Sequence, residues 1–172
     1  MIPVESPEMY QAENILSLER ASQLVLELKA SGKTVGLCHG VFDLLHPGHA
    51  KHFESAKKLC DILFVSLTAD RFVTLRKGPE RPILSAKLRA YMIANLKFVD
   101  YVIILDYPKG TEVIEALKPS FYIKGPDIIH LSTLGINEER EMVKKIGGEM
   151  RYTNDPKLST TEIIEYIKHE IK

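Results

Sequence analysis

Residues 34–53, TVGLCHGVFDLLHPGHAKHF, change pattern part-way along. TVGLC, from Thr34 to Cys38, is short and apolar, as a buried strand requires. A turn containing Gly40 follows, and Pro47 is a residue favoured at the first position of a helix. Beyond it Ala50, Phe53, Ala56 and Leu59 recur three apart and can face a sheet, while Lys51, Lys57 and Lys58 can face water. Strand, loop and helix in that order make the unit from which parallel sheets are built.

The unit repeats along the chain. ILFVSLT (62–68), YVIIL (101–105), SFYIKG (120–125) and GEMRYT (148–153) read as four further strands. Helical spacing runs through 12–30, 85–97, 111–118 and 137–146. A last helix opens at Ser159, where Glu162 three residues on completes a capping box. The expected fold is therefore α/β, a Rossmann-like, mostly parallel five-stranded sheet with helices on both faces. One domain is expected over 1–172, with 1–32 as an N-terminal helical extension. Ligands of such sheets sit beyond the carboxyl ends of the strands. That singles out the loops at 40–47, 69–85, 106–110, 125–135 and 154–160.

Composition sets limits on function. Hydrophobic residues make up 45% and charged residues 27%, the balance of an ordinary globular protein. Lysine plus arginine (23) equals aspartate plus glutamate (23), so nothing favours a nucleic-acid partner. Cys38 and Cys60 lack metal-site spacing, no apolar run could span a bilayer, and no basic, apolar leader is present. A cytoplasmic protein without a membrane or nucleic-acid partner is expected.

His46, His49 and His52 stand three apart. They could cap or solvate a helix start, two of them could reach one metal ion, or they could meet a phosphate. A helix amino end offers free N–H groups and partial positive charge, and imidazoles there can donate to phosphate oxygens.

GVFDLLHPGH (40–49) resembles the His-x-Gly-His signature of the cytidylyltransferase-like nucleotidyltransferases, with the Gly-x-Phe-Asp segment that precedes it. RKGPERPILSAKLRAYMIANLKFVDYVI, FYIKGPD and LSTTEII follow in the family's order. The chain looks most like the adenylyltransferase module of ADP-heptose synthase. The resemblance implies transfer of a nucleoside monophosphate, AMP from ATP in the leading version, to a sugar phosphate with release of pyrophosphate. Mg²⁺ would arrive with the triphosphate, and a homodimer is a common assembly in the family. A CTP-dependent enzyme acting on a polyol or other phosphate, and a nucleotide-binding module without turnover, are the rival readings. The 172 residues show no kinase half, so a separate kinase is expected to supply the sugar phosphate.

Residue by residue, the resemblance gives His46 and His49 the triphosphate and the transition state, and places Lys77 and Arg89 near the phosphates. Gly48 would let phosphate approach the backbone. Gly40, Val41 and Phe42 would lend backbone groups, while Asp43 would hold its loop by hydrogen bonds or serve the structure alone. Lys124, Gly125 and Asp127 would meet nucleotide and acceptor, and Ser159, Thr160 and Thr161 would cradle the outer phosphates. His52 has no counterpart in the motif and is expected to be a partly exposed helix residue. Two departures stand out. CHG replaces the family's Thr-Asn-Gly or Thr-Tyr-Gly, which brings in His39 unexplained, and NDPK replaces Arg-Thr-Glu-Gly, leaving Lys157 to supply the lost charge.

Overall fold

The computed structural model describes residues 1–156 and 158–171. Among them six strands, all parallel, form one sheet: β1 (Ile15–Leu16), β2 (Val35–Gly40), β3 (Ile62–Thr68), β4 (Tyr101–Leu105), β5 (Phe121–Lys124) and β6 (Glu149–Tyr152). Their spatial order is β1-β4-β3-β2-β5-β6. Among the described residues seven α-helices accompany them: α1 (Leu18–Ala30), α2 (Pro47–Lys57), α3 (Asp70–Lys77), α4 (Ala86–Ala94), α5 (Thr111–Leu117), α6 (Leu134–Lys145) and α7 (Thr160–Glu170).

The sixth strand corrects the expected five. Helical spacing begins at residue 12, but Ser17 caps α1 by accepting the Arg20 N–H, so Ile15 and Leu16 remain extended. They pair with Val102 and Ile103 at the sheet edge. The Asn14 side chain anchors the entry by donating to the Ala94 and Asp100 carbonyls at 3.0 and 3.2 Å. Helix α3 lies inside the stretch read as a loop. It is short and buries only Val73, so apolar spacing does not reveal it; Asp70 at its start, Arg76 and Lys77 at its end and Gly78 beyond mark its limits. Other boundaries also move: α4 stops at Ala94, α6 begins at Leu134 because Thr133 caps it, and β2 runs on past Cys38 to Gly40.

Alternation along the strands divides the core in two. Val35, Leu37, Phe64, Ile103 and Tyr122 face α1, α5 and α6, while Cys38, Leu63, Val65, Val102 and Ile123 face α2 and α4. Each fully buried Leu, Ile, Val or Phe contributes about 1.5–3 kcal/mol, which makes the two layers the main source of stability.

The strand order reverses between β2 and β5. β2 pairs with β3 on one side along its whole length, from Val35 to Gly40, but with β5 only at Gly36 and Leu37. Beyond Leu37 and Tyr122 no β2–β5 pairing continues. A crevice forms there, at the carboxyl ends of the strands, where open parallel sheets bind ligands. No helix among the described residues is long and apolar enough to cross a membrane.

Candidate active site

A cavity of about 490 Å³ fills the crevice. It takes in His46, Gly48 and His49 at the start of α2, with Gly40, Val41, Phe42 and Asp43 before them. Lys77 stands at one end, Lys124 at the end of β5 with Gly125 and Asp127 just beyond it, and Ser159, Thr160 and Thr161 at the start of α7. Of the described residues matched to the family's motifs, Arg89 alone is not on this wall.

The loop 40–46 is built to present the histidines. Pro47 begins α2, with His46 extended just ahead of it (φ −141°, ψ 166°) and its side chain making no capping bond. Pro47 has no N–H and those of His49 and Ala50 bond to the His46 carbonyl, so Gly48 supplies the free N–H of the first turn, and it lines the same cavity as both imidazoles. The rings of His46 and His49 stack with centroids 3.7 Å apart. His49 also meets the edge of Phe42, whose backbone is held at φ 49°. A Cβ on Gly40 would come within 2.8 Å of the Phe42 ring, so only glycine allows that ring to fold back. A Cβ on Gly48 would meet His46 Nδ1 at 3.0 Å and Leu158 at 3.1 Å. Glycine at 48 thus makes room for the His46 ring itself.

His46 Nδ1 and Nε2 and His49 Nδ1 are buried without a hydrogen-bond partner among the described residues. Burial, followed by the neighbouring His46, His52 and Lys77, pushes the His49 pKa down to about 3. Burial also lowers that of His46. Two neutral, unpartnered imidazoles beside a helix amino end await something that accepts hydrogen bonds and brings negative charge. Lys77 adds a cation at the rim; desolvation, then Arg81 and Arg76, lower its pKa from the ordinary lysine value against the pull of Asp43.

The amino end of α7 closes the cavity from the other side. Ser159 and Glu162 form the expected capping box, at 3.0 and 3.1 Å. Thr160 donates to the Leu44 carbonyl at 3.2 Å, tying α7 to the histidine loop. Thr161 is exposed. Two helix amino ends therefore border one cavity. Lys157 lies outside the described residues.

Asp43 and Arg89 hold the frame. Asp43 is buried, accepts the Ile83 N–H at 2.6 Å and pairs with Arg81 Nε, which fixes the loop before α4. Arg89 is 1% exposed. Its guanidinium donates to the carbonyls of Leu84 (3.0 Å), Val41 and Thr68 (2.9 Å) and to the Asp70 carboxylate (2.7 Å). Four of its five donors are thus committed to the protein, and it supports the Val41 loop from behind rather than facing the cavity. Cys38 is no nucleophile: it is 1% exposed and burial pushes its thiol pKa far up.

Several lining residues carry no motif signal. His52 is half-buried in the wall, with Nδ1 2.9 Å from the Thr153 hydroxyl. Asp155 accepts from Ser55 at 2.8 Å. Only the period-two pattern of β6 carried on past Tyr152, with the helical register of α2, could have brought His52 and Thr153 together. His39 also lines the cavity, on the opposite side of the sheet from His46. Among the described residues, no group of three or more His, Cys, Asp or Glu side chains stands close enough to hold a metal ion.

The profile of cytidylyltransferase-like proteins matches residues 37–166, from the middle of β2 to α7. The chain belongs to the cytidylyltransferase-like family. Among this family's curated proteins, it is 36% identical over 155 residues to the bifunctional protein HldE of Syntrophotalea carbinolica, a match covering 88% of this chain and 31% of that one. It is 38% identical over 154 residues to HldE of Helicobacter pylori strain G27, covering 90% and 31%. The cytidylyltransferase-like chain thus spans about a third of the length of the curated relatives it matches. Among solved structures, the lipopolysaccharide core biosynthesis protein from Thermoplasma volcanium superposes with a TM-score of 0.60 at 26% identity, covering 73% of this chain and all (100%) of that one. Pantoate-beta-alanine ligase from Francisella tularensis, complexed with beta-gamma ATP and beta-alanine, shares the fold, with a TM-score of 0.57 at 15% identity over 91% of this chain and 77% of that one.

Proposed function

We propose that the chain is a nucleotidyltransferase that moves a nucleoside monophosphate, AMP from ATP, onto the phosphate of a sugar phosphate. An oxygen of the acceptor phosphate attacks the α-phosphorus in line, the bond from that phosphorus to the bridging oxygen breaks, and pyrophosphate leaves. Mg²⁺ travels with the triphosphate as part of the substrate. The single observation that carries this reading is the pair of stacked, neutral and unpartnered imidazoles, His46 and His49, at the amino end of α2.

Such a reaction needs positioning and charge stabilisation rather than a covalent enzyme intermediate. His46, His49 and Lys77 donate to the phosphate oxygens on which charge gathers, and the amino end of α7 receives the outer phosphates. Each well-aimed donor of this kind lowers a barrier by about 3 kcal/mol. The resemblance to the adenylyltransferase module of ADP-heptose synthase, together with the identity to the HldE proteins, supports a sugar phosphate as the acceptor. The family's description supports the second reading, transfer of CMP from CTP to a polyol or other phosphate. Pyrophosphate release measured with ATP and with CTP against sugar 1-phosphates, glycerol 3-phosphate and ribitol 5-phosphate separates the two. Release with no pair at all overturns both.

A further inference from the structure

At the carboxyl ends of β2, β3 and β5, on the sheet face away from His46 and His49, lies a second polar group. His39 Nδ1 is 2.6 Å from the Ser66 hydroxyl. Lys124 Nζ donates to the His39 carbonyl at 3.3 Å, lies 4.8 Å above the Tyr122 ring and pairs with Glu139 of α6 at 3.0 Å. We propose that this cluster holds the hydroxyls of the acceptor's sugar, with His39 Nε2–H as the specificity-determining donor. The inference rests on the transferase reading above.

The tautomer follows from Ser66. It is fully buried, and His39 Nδ1 is the only hydrogen-bond partner of its side chain among the described residues. A buried hydroxyl proton left unpaired costs about 1–3 kcal/mol, so Ser66 donates, Nδ1 accepts and the ring proton sits on Nε2. Nε2 makes no hydrogen bond of its own among the described residues, and His39 lines the cavity.

Charge separates this cluster from the phosphate wall. Burial, with Lys124 and Arg76 nearby, holds the His39 pKa down to about 3, so the ring is neutral. Lys124 is balanced by Glu139. The cluster is therefore polar with no net charge, which suits uncharged hydroxyls better than a phosphate. His39 and Lys124 are the members of the cluster that line the cavity, and both can donate to a hydroxyl oxygen, while Glu139 pairs with Lys124 from behind. Behind it there is no room, since a Cβ on Gly110 would meet Glu139 Oε1 at 2.6 Å, His39 Cδ2 at 2.8 Å and the Tyr122 hydroxyl at 3.1 Å. The cluster is closed on the α5 side, and the cavity lined by His39 and Lys124 is its open side.

A nucleotide's ribose also carries hydroxyls, so the test must tell the two sources apart. In the full chain, His39→Phe keeps a ring and loses the donor, while His39→Gln keeps an N–H near the Nε2 position. Steady-state pyrophosphate release is measured with the sugar 1-phosphate that turns over fastest, with glycerol 3-phosphate, and with ATP, CTP and their 2′-deoxy forms. One lost neutral hydrogen bond predicts a rise of about tenfold in the sugar phosphate KM for His39→Phe, recovered by His39→Gln, with the nucleotide KM unchanged. Glycerol 3-phosphate, with fewer hydroxyls, should be affected less. If His39→Phe does not fold, His39→Asn replaces it, since its shorter amide cannot reach the Nε2 position. An unchanged acceptor KM, equal rises for both substrates, or a rise for the nucleotide alone that disappears with the 2′-deoxy form would each overturn the proposal while leaving the transferase reading intact. A wild-type chain that releases no pyrophosphate overturns both.

Discussion

Replacing Arg89 by methionine is expected to cost stability rather than a substrate contact. Methionine keeps much of the volume but removes the charge and leaves the Leu84, Val41 and Thr68 carbonyls and the Asp70 carboxylate without their donor. Removing one partner of a buried pair costs about 3–5 kcal/mol. The Asp70 side chain is 30% exposed and regains some hydration, while the stranded carbonyls add to the loss, so about 4 kcal/mol is expected. For a chain of this length that lowers the melting temperature by about 8–16 °C. Arg89→Lys should fall between, because one compact ammonium cannot serve four oxygens spread around a planar fork. Calorimetry gives the stability, and the nucleotide KM is measured well below the lowered transition. A methionine variant within about 1 kcal/mol of wild type that has nonetheless lost turnover would refute the reasoning and put the guanidinium on the substrate.

Other perturbations probe the histidine wall. His46→Ala and His49→Ala should each lower kcat by about 10²–10³-fold without lowering the melting temperature, since each removes buried nitrogens that have no protein partner. Gly48→Ala should lower kcat through displacement of the His46 ring, with the loss reversed neither by excess nucleotide nor by excess acceptor. The pH dependence has a definite sign. With a folded pKa of about 3 against an ordinary value of 6.5, His39 binds fewer protons in the native state, so its contribution is whole above pH 6.5 and is lost as pH falls towards 3. Denaturant titrations should show a loss of about 2 kcal/mol from His39 at pH 5, absent in His39→Gln, with His49 contributing in the same direction. Triphosphate binding near pH 7 should take up protons, because an anion raises the pKa of both neutral imidazoles. Titration calorimetry in buffers of different ionisation enthalpy reads that uptake.

Most of the sheet was legible because each long strand is a continuous apolar run between turn residues, and Ile62–Thr68 and Tyr101–Leu105 match their expected bounds. β1 was not, since two residues are too few to show a period and Ile15 and Leu16 also fit the register of the helix after them. The helix-end signals at 47 and 159 led directly to the two amino ends that border the cavity. Arg89 shows the limit of motif reasoning. A motif places an arginine near the phosphates in sequence, but its burial and its four protein acceptors appear only when β3, α4 and the loop 40–46 are packed together. His39 and His52 were visible as residue types, but their partners Ser66 and Thr153 lie on other strands or beyond them, and no local spacing links them.

The most direct test of the proposed chemistry is pyrophosphate release by the wild-type chain and by His46→Ala, with Mg²⁺ and either ATP or CTP, across the sugar and polyol phosphates. The account predicts release that depends on both nucleotide and acceptor and falls by about 10²-fold or more in the variant, with the melting temperature retained. Acceptor-dependent release that is equal in the two proteins would contradict it.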